Sequence, residues 1–159
     1  MIGDSGDSSD TTAANITGPS GSAGDATSAK SITENTTTIH TFTANETVSW
    51  SLNGGADVSK FSIDSSSGAL SFLSAPDYEN PSDSDLGNDY VVGVRATDNG
   101  SNTSDQTVTV SVTNVDDTNP LIQGGTGSSG ANTSTKTVNE NQTTVHTFTA
   151  DETVTWSLN

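Results

Sequence analysis

The side chains of this chain whose type and position could do chemistry are its carboxylates. Asp and Glu number 20 against 4 Lys and Arg, which gives a formal net charge of −16. Four of the carboxylates stand at or near the ends of predicted strands, namely Glu34, Asp77, Glu79 and Asp117. In a sandwich of strands those places can fall at one end, where carboxylates held close together repel one another. A solvated acidic surface explains most of the other carboxylates.

A divalent cation would offset the repulsion within such a cluster. Ca²⁺ takes about six to eight oxygen ligands, from carboxylates and carbonyls, in a tolerant geometry. Mg²⁺ requires tighter octahedral order, and zinc favours the nitrogen and sulfur ligands of His and Cys. The chain has no Cys and only two His. We therefore predict calcium at this end of the fold, and the alternative is an acidic loop that is merely solvated.

The same composition argues against several other classes of protein. Binding to nucleic acid needs many bases to neutralise phosphates. No apolar run is long enough to span a membrane. Neither His stands in a nucleophile motif and nothing marks an apolar cleft, so no enzymatic role is predicted. The four bases of the chain are Lys30, Lys60, Arg95 and Lys136.

An internal repeat sets the architecture. Residues 31–53 recur at residues 137–159 without a gap, at an offset of 106, and 16 of the 23 positions are identical. A period near a hundred residues is too long for a solenoid unit and matches an autonomous β-sandwich. The second copy stops after its predicted third strand. We therefore expect the natural chain to continue as an array of repeats.

Strand signals in the complete copy are short and alternate between apolar and polar residues, with Thr outward, as a sheet with one wet face requires. They predict an all-β fold, a seven-stranded Greek-key β-sandwich. The strands are predicted near residues 31–33 and at 39–44, 48–52, 61–63, 70–72, 90–96 and 107–115. Trp50 and Trp156 are predicted as core anchors, and His40 and His146 as packed or rim side chains.

The predicted organisation has four parts. Residues 1–27 are a polar Gly/Ser/Asp-rich linker at the end of a preceding repeat, and residues 28–117 are the complete sandwich. Residues 118–136 form an interdomain linker, and residues 137–159 are the first strands of a second repeat. The Gly/Ser/Thr/Ala-rich composition of 18–29 and 124–135 is typical of connectors.

Short motifs at these same places resemble those of cadherin repeats. Pro-Asp-Tyr-Glu-Asn-Pro at 76–81 resembles their acidic loop motif, and Ala-Thr-Asp-Asn-Gly at 96–100 resembles Ala-x-Asp-x-Gly. Asn-Val-Asp-Asp-Thr-Asn-Pro at 114–120 resembles the Asp-x-Asn-Asp-Asn-x-Pro linker, and residues 61–70 resemble the Phe-x-Ile-x-x-x-x-Gly-x-Leu hairpin. The Glu-Asn pairs at 34–35 and 140–141 resemble the pair that opens each repeat. The likeness is greatest to the cadherin-like repeats of large bacterial surface proteins, and it implies an immunoglobulin-like sandwich of the cadherin type.

The resemblance implies a role for particular residues. Glu34, Asp77, Glu79 and Asp117 would bind calcium at the C-terminal pole of the complete repeat, with Asp116 and Asn119 contributing from the linker. Asp98 would serve the boundary with a preceding repeat. Glu140 and Asp151 hold the corresponding opening and second-strand positions of the second copy. Asn114 and Thr118 depart from the linker motif, and the connector is longer than expected, so we expect one or two ions at each boundary.

The function implied by the resemblance is mechanical. Calcium would join neighbouring repeats of the same chain end to end into a stiff stalk, extracellular or at a cell surface. Such a stalk would support cell adhesion, homophilic by family resemblance, to identical repeats on another cell or to a surface ligand. The alternative is a non-catalytic spacer or carbohydrate-binding accessory domain of a secreted enzyme.

Overall fold

The fold consists of strands and one short 3₁₀ helix. A computed structural model describes residues 11–126 and 128–158. The strands are β1 (Ile16–Thr17), β2 (Thr27–Thr33), β3 (Thr38–Thr41), β4 (Thr43–Ala44), β5 (Val48–Gly54), β6 (Phe61–Ile63), β7 (Ala69–Phe72), β8 (Asp89–Asp98), β9 (Thr103–Thr113), β10 (Ile122–Gln123) and β11 (Thr149–Ala150). The 3₁₀ helix spans Val58–Lys60. Within the described residues no helix is long and apolar enough to cross a membrane. The chain divides into two compact units between Val115 and Asp116.

Two larger sheets form the sandwich of the first unit, beside the two-stranded β1–β4 pair, and the predicted β-sandwich is confirmed. One sheet has the order β2-β9-β8-β5 and the other the order β3-β7-β6. β2 runs parallel to β9, and the other strand pairs of these sheets are antiparallel. The predicted seven strands correspond to β2, β3 with β4, β5, β6, β7, β8 and β9, although β2 and β9 begin four residues earlier than predicted.

Apolar side chains from both sheets form a single core, as the alternation in the sequence predicts. Along β8, Tyr90, Val92, Val94 and Ala96 are all buried. Aromatic rings fill the space between the sheets, because Phe72 lies 4.7 Å from the ring of Phe61 and 5.0 Å from that of Tyr90. The cluster comprises Ile16, Ile39, Phe42, Trp50, Phe61, Leu70, Phe72, Tyr90, Val92, Val94, Ala96, Val108, Val110 and Val112.

The structure differs from the prediction at the N-terminal segment. Ala14 and Ile16 are buried, and Ile16 belongs to the core cluster of the sandwich. β1 pairs with β4 through Ile16 and Ala44, and Gln106 donates from its side chain to the carbonyl oxygen of Asp25. Part of the predicted linker 1–27 therefore packs as part of the sandwich, because one isoleucine in a polar segment suffices to fill a core position. Residues 1–10 of that linker lie outside the described part.

One predicted strand is interrupted. Residues 39–44 form β3 and β4, with Phe42 between them, because the amide of Phe42 donates to the carbonyl oxygen of Gly68 instead of continuing the ladder. Gly68 has a φ of +74°, and a Cβ there would stand 2.9 Å from the indole nitrogen of Trp50. His40 packs edge-on against Phe42 with 5.0 Å between ring centroids, as a rim histidine should.

The second unit repeats the local pairing of the first. β10 pairs with β11 through Ile122 and Ala150, which are the counterparts of Ile16 and Ala44 at the same offset of 106. β10 lies inside the predicted linker 118–136, as β1 lies inside the predicted linker 1–27. The repeat therefore extends upstream of the 23 residues in which the identity is concentrated.

The predicted core position is confirmed for Trp50 but not met by Trp156. Trp50 is 6% exposed, whereas Trp156 is 49% exposed. In the first unit Trp50 pairs with Ala96 of β8 and packs on the turn at Gly68.

Candidate metal site

A turn at the end of β2 places Glu34 inside the fold. The amide of Glu34 donates to the carbonyl oxygen of Thr113, which extends the pairing of β2 with β9 by one residue. Asn35 then adopts a φ of +61°, a conformation that Asn tolerates better than most residues. Its amide donates to the carbonyl oxygen of Pro76, which brings the acidic loop 76–80 against the strand end. Glu34 is consequently only 2% exposed.

The carboxylate of Glu34 joins two distant parts of the chain. Its Oε2 accepts a hydrogen bond of 2.8 Å from the amide of Tyr78 in the acidic loop. Its Oε1 accepts one of 2.7 Å from the amide of Val115, just beyond β9. The chain therefore leaves the first unit beside Glu34. A carboxylate offers about four lone-pair sites, so each oxygen of Glu34 retains capacity for a further ligand.

Asp77 and Glu79 complete an acidic cluster with Glu34. Both are exposed, and Asp77 closes its own loop by accepting a 3.0 Å hydrogen bond from the amide of Asn80. Glu79 accepts a hydrogen bond from the side-chain amide of Asn114. One carboxylate oxygen from each of the three acids lies within 4.8 Å of the others. It is the one group of at least three potential His, Cys or acidic metal ligands found among the described residues.

The three carboxylates fit calcium. Oxygen ligands stand about 2.3–2.6 Å from Ca²⁺, so two oxygens on one ion are separated by about 5 Å or less. A spacing within 4.8 Å meets that condition. Zinc is a poor match, because no His or Cys belongs to the group. Within the described residues no Lys or Arg forms an ion pair with these acids, and the ion pair that is present joins Arg95 to Asp105.

Asp98 is the last residue of β8, whereas the acidic loop precedes the first residue of that strand. Asp98 does not belong to the cluster of Glu34, Asp77 and Glu79. It is 7% exposed, and its two carboxylate oxygens accept hydrogen bonds of 2.8 and 2.9 Å from the backbone and side-chain amides of Asn102. The β8–β9 turn is thereby closed. β8 runs from Asp89 to Asp98, and at roughly 3.3 Å per residue this separates the two poles by about 30 Å. The role of Asp98 at a boundary with a preceding repeat stays a prediction.

The remaining predicted ligands belong to the second unit, and their role as metal ligands also stays a prediction. Asp151 accepts a 2.8 Å hydrogen bond from the amide of Leu121. Burial, and then the negative charge of Asp116 and its hydrogen bond, raise the pKa of Glu152, with a smaller contribution from Asp151. The predicted residues of this unit are all exposed: Asp116, Asp117, Asn119, Glu140 and Asp151.

Glu140 shows what buries its counterpart Glu34. The two residues occupy the same position of the repeat, yet Glu140 is exposed and Glu34 is not. Glu34 is enclosed by Thr113, Tyr78 and Val115.

Sequence reasoning missed several polar residues around the site. Asn114 holds Glu79 from the end of β9, and Asn88 donates from its side chain to the carbonyl oxygen of Tyr78. Asp57 is 3% exposed and accepts from the amides of Ser84 and Val91, although nothing in its local sequence distinguishes it from a solvated Asp.

Asp83 and Asp85 lie in a polar turn that precedes β8. Asp83 is 4% exposed and accepts hydrogen bonds from the amides of Gly87 and Asn88. Burial opposes ionisation of Asp83, but the hydrogen bonds from Asp85 and these amides prevail and lower its pKa. The same bond to Asp83 raises the pKa of Asp85.

Comparison with known proteins gives structural matches only. Neither the family models nor the curated protein sequences match this chain. The EC3–6 cis-dimer structure of protocadherin gammaB7 is 21% identical over 70% of this chain and 25% of that one, with a TM-score of 0.54. Mouse cadherin-23 EC22–24 is 21% identical over 70% and 36%, with a TM-score of 0.55. Extracellular cadherin domains 3–6 of protocadherin gamma B2 are 16% identical over 62% and 24%, with a TM-score of 0.50.

These matches define the class of the fold. The first unit has the β-sandwich fold of extracellular cadherin domains, as the motifs predict. The chain spans between 25% and 36% of the length of the protocadherin gammaB7 and cadherin-23 structures.

Proposed function

We propose that this chain is a calcium-binding cadherin-like repeat that stiffens an extracellular multi-domain stalk. The observation that carries the proposal is the convergence of Glu34, Asp77 and Glu79 within 4.8 Å, beside the point where the chain leaves the sandwich. Residues 43 positions apart in sequence, such as Glu34 and Asp77, meet there only because the fold brings strand ends together.

The residues of this pole connect the parts that a stiff junction must hold. Glu34 already fixes the acidic loop and the chain exit through the amides of Tyr78 and Val115. Asn114 fixes Glu79 to the end of β9. The three carboxylates would coordinate calcium, and the positive charge of the ion would offset their mutual repulsion. Asp116 and Asp117 follow directly along the chain and would add ligands from the linker.

The free energy involved is sufficient to matter mechanically. Extracellular calcium modules bind with Kd values of about 10⁻⁴–10⁻³ M. At free calcium about ten- to a hundredfold above Kd, linkage adds roughly 1.4–2.7 kcal/mol per site. Fraying of the strand ends and bending at the exit would be suppressed by that amount.

A role in adhesion follows from likeness to extracellular domains. One of the matching structures is described as a cis-dimer and another as extracellular cadherin domains. We infer from these that repeats of this chain act outside the cell, contact neighbouring repeats through calcium and support adhesion, without catalysis. Self-association through identical repeats is the homophilic form of this proposal.

Thermal melting of the full chain in EDTA and in about 10 mM calcium, which is ten- to a hundredfold above the expected Kd, tests the calcium site. Calcium should raise Tm by about 5–20 °C, since 1 kcal/mol moves the Tm of a domain of this size by about 4–8 °C. Asp77→Asn and Glu79→Gln keep side-chain size and should remove most of the rise. Asp64→Asn is the matched control, because Asp64 is an exposed carboxylate in the β6–β7 turn, outside the cluster.

The increment between the two conditions is the quantity to compare. Asp64→Asn should preserve the increment even if its absolute Tm falls. The proposal fails if the wild-type chain melts at the same temperature in both conditions. It also fails if Asp77→Asn and Glu79→Gln retain the full increment.

A further inference from the structure

Asn88 stands at a junction of three chain segments next to the acidic loop. It immediately precedes β8 and has a φ of +66°, in the left-handed region that Asn tolerates. Its carbonyl oxygen accepts a 2.9 Å hydrogen bond from the amide of Val112 in β9. Its own amide donates to the carboxylate of Asp83 at 3.3 Å. The backbone of Asn88 is therefore fixed to both the 83–87 turn and the sheet.

The side chain of Asn88 extends that fixed framework to the cluster. Its Nδ2 donates a 3.0 Å hydrogen bond to the carbonyl oxygen of Tyr78, the residue between Asp77 and Glu79. The amide of Tyr78 donates at 2.8 Å to Glu34. Both backbone polar groups of Tyr78 are thus held, one by Glu34 and one by Asn88. Holding both groups fixes the peptides on either side, and with them the directions in which Asp77 and Glu79 project.

The side-chain oxygen of Asn88 makes no hydrogen bond, so the position of this side chain is explained by its Nδ2 donor alone. Oδ1 is buried without a hydrogen-bond partner, and it is the one buried side-chain polar atom of that kind in the described part of the chain. An unpaired buried acceptor opposes folding. An Asp would tolerate the same backbone conformation but would turn a carboxylate oxygen toward the carbonyl of Tyr78. The feature that Asn adds is the Nδ2 donor.

We propose that Asn88 is a positioning residue for the cation site, which holds the 77–79 loop in its binding conformation before calcium arrives. The proposal rests on the proposed function and extends it to a residue that is not itself placed as a ligand. A preorganised loop loses less freedom on binding, which strengthens affinity without a new contact.

The test combines a calcium titration with amide hydrogen exchange on the full chain. Asn88→Gly keeps the positive φ and removes the donor, and it should raise the calcium Kd on the order of fivefold, as expected for one lost hydrogen bond. In EDTA it should speed exchange of the Tyr78 amide while leaving that of Val94, in the core of β8, unchanged. Leu86→Gly is the matched control, because Leu86 has a φ of +60° in the same turn and is 66% exposed. It should alter neither quantity.

The outcomes separate this proposal from the one on which it rests. If Asn88→Gly leaves both the Kd and Tyr78 exchange at wild-type values, the positioning role is refuted. Equal acceleration at Tyr78 and Val94 also refutes it, because the effect is then on global stability. A wild-type chain that does not bind calcium refutes the proposed function, whereas Tyr78 exchange in EDTA still decides whether Asn88 holds the loop.

Discussion

Replacing Glu34 by Ala should destabilise the protein even when no calcium is present. Glu34 is 2% exposed and accepts hydrogen bonds from the amides of Tyr78 and Val115. An Ala leaves both donors without their carboxylate partner at a part-buried site. Each unpaired buried donor costs about 1–3 kcal/mol, so the loss from the two amides is about 2–6 kcal/mol.

Relief of repulsion works in the opposite direction and is smaller. The Glu34 carboxylate lies within 4.8 Å of those of Asp77 and Glu79. A pair of unit charges about 4 Å apart interacts by about 1 kcal/mol in water, so removing Glu34 regains roughly 1–2 kcal/mol. The midpoints of the two ranges leave a net loss of about 2.5 kcal/mol. Glu34→Gln, which keeps one acceptor oxygen for two donors, should lose about half as much.

Urea denaturation of the full chain in EDTA measures this effect, with ΔG taken by linear extrapolation. Asp77→Ala is the informative contrast, because Asp77 is exposed and carries only the amide of Asn80. Its removal relieves repulsion at little cost, so its ΔG should equal or exceed that of the wild type. A Glu34→Ala variant as stable as the wild type would show that the buried carboxylate is not the link between loop and strand end.

Two further predictions concern the core and the surface. Trp50→Ala should lower the free energy of unfolding in urea by about 3–5 kcal/mol, because Trp50 is 6% exposed. Trp156→Ala should lower it by under about 1 kcal/mol. Equal losses would contradict the assigned burial of the two residues. The hydrogen bond and charge of Arg95 lower the pKa of Asp105, so this pair stabilises the fold above the unfolded pKa of Asp and ceases to do so as pH falls through the lower folded value. Because the pair is exposed, Asp105→Asn should lower the free energy of unfolding by no more than about 1 kcal/mol at pH 7, and by nothing in strong acid. A loss that is the same at both pH values would show that charge is not its cause.

The sequence predicts the parts of this structure that depend on local alternation. The pattern of Tyr90, Val92, Val94 and Ala96 predicts the buried face of β8. The pairing of β1 with β4 and its copy in the second unit were not predicted, because β1 and β10 lie in segments assigned as linkers. The convergence of Glu34 with the 77–79 loop was predictable, because Glu34 directly follows β2 and the other two acids lie in the loop after β7.

Features that depend on loop conformation and long-range pairing were not predictable in the same way. The positive φ of Asn35 and Asn88 turns the chain toward the 76–80 loop. Asn35 belongs to the Glu-Asn pair at 34–35, but no local pattern distinguishes Asn88 from the many solvated Asn residues. Asp57 is buried only because two amides from residues 27 and 34 positions away meet it. Ile16 enters the core from a segment whose composition is typical of a linker.

Calcium titration followed by amide nitrogen–proton NMR tests the central claim most directly. The amides of Tyr78 and Val115 donate to Glu34, and the amide of Glu79 lies in the same loop, so all three report on the cluster. We predict saturable shifts at these three amides with a common Kd of about 10⁻⁴–10⁻³ M, and their loss in Asp77→Asn. If the amide chemical shifts of Tyr78, Glu79 and Val115 do not change up to millimolar calcium, the result would contradict a calcium site at this pole.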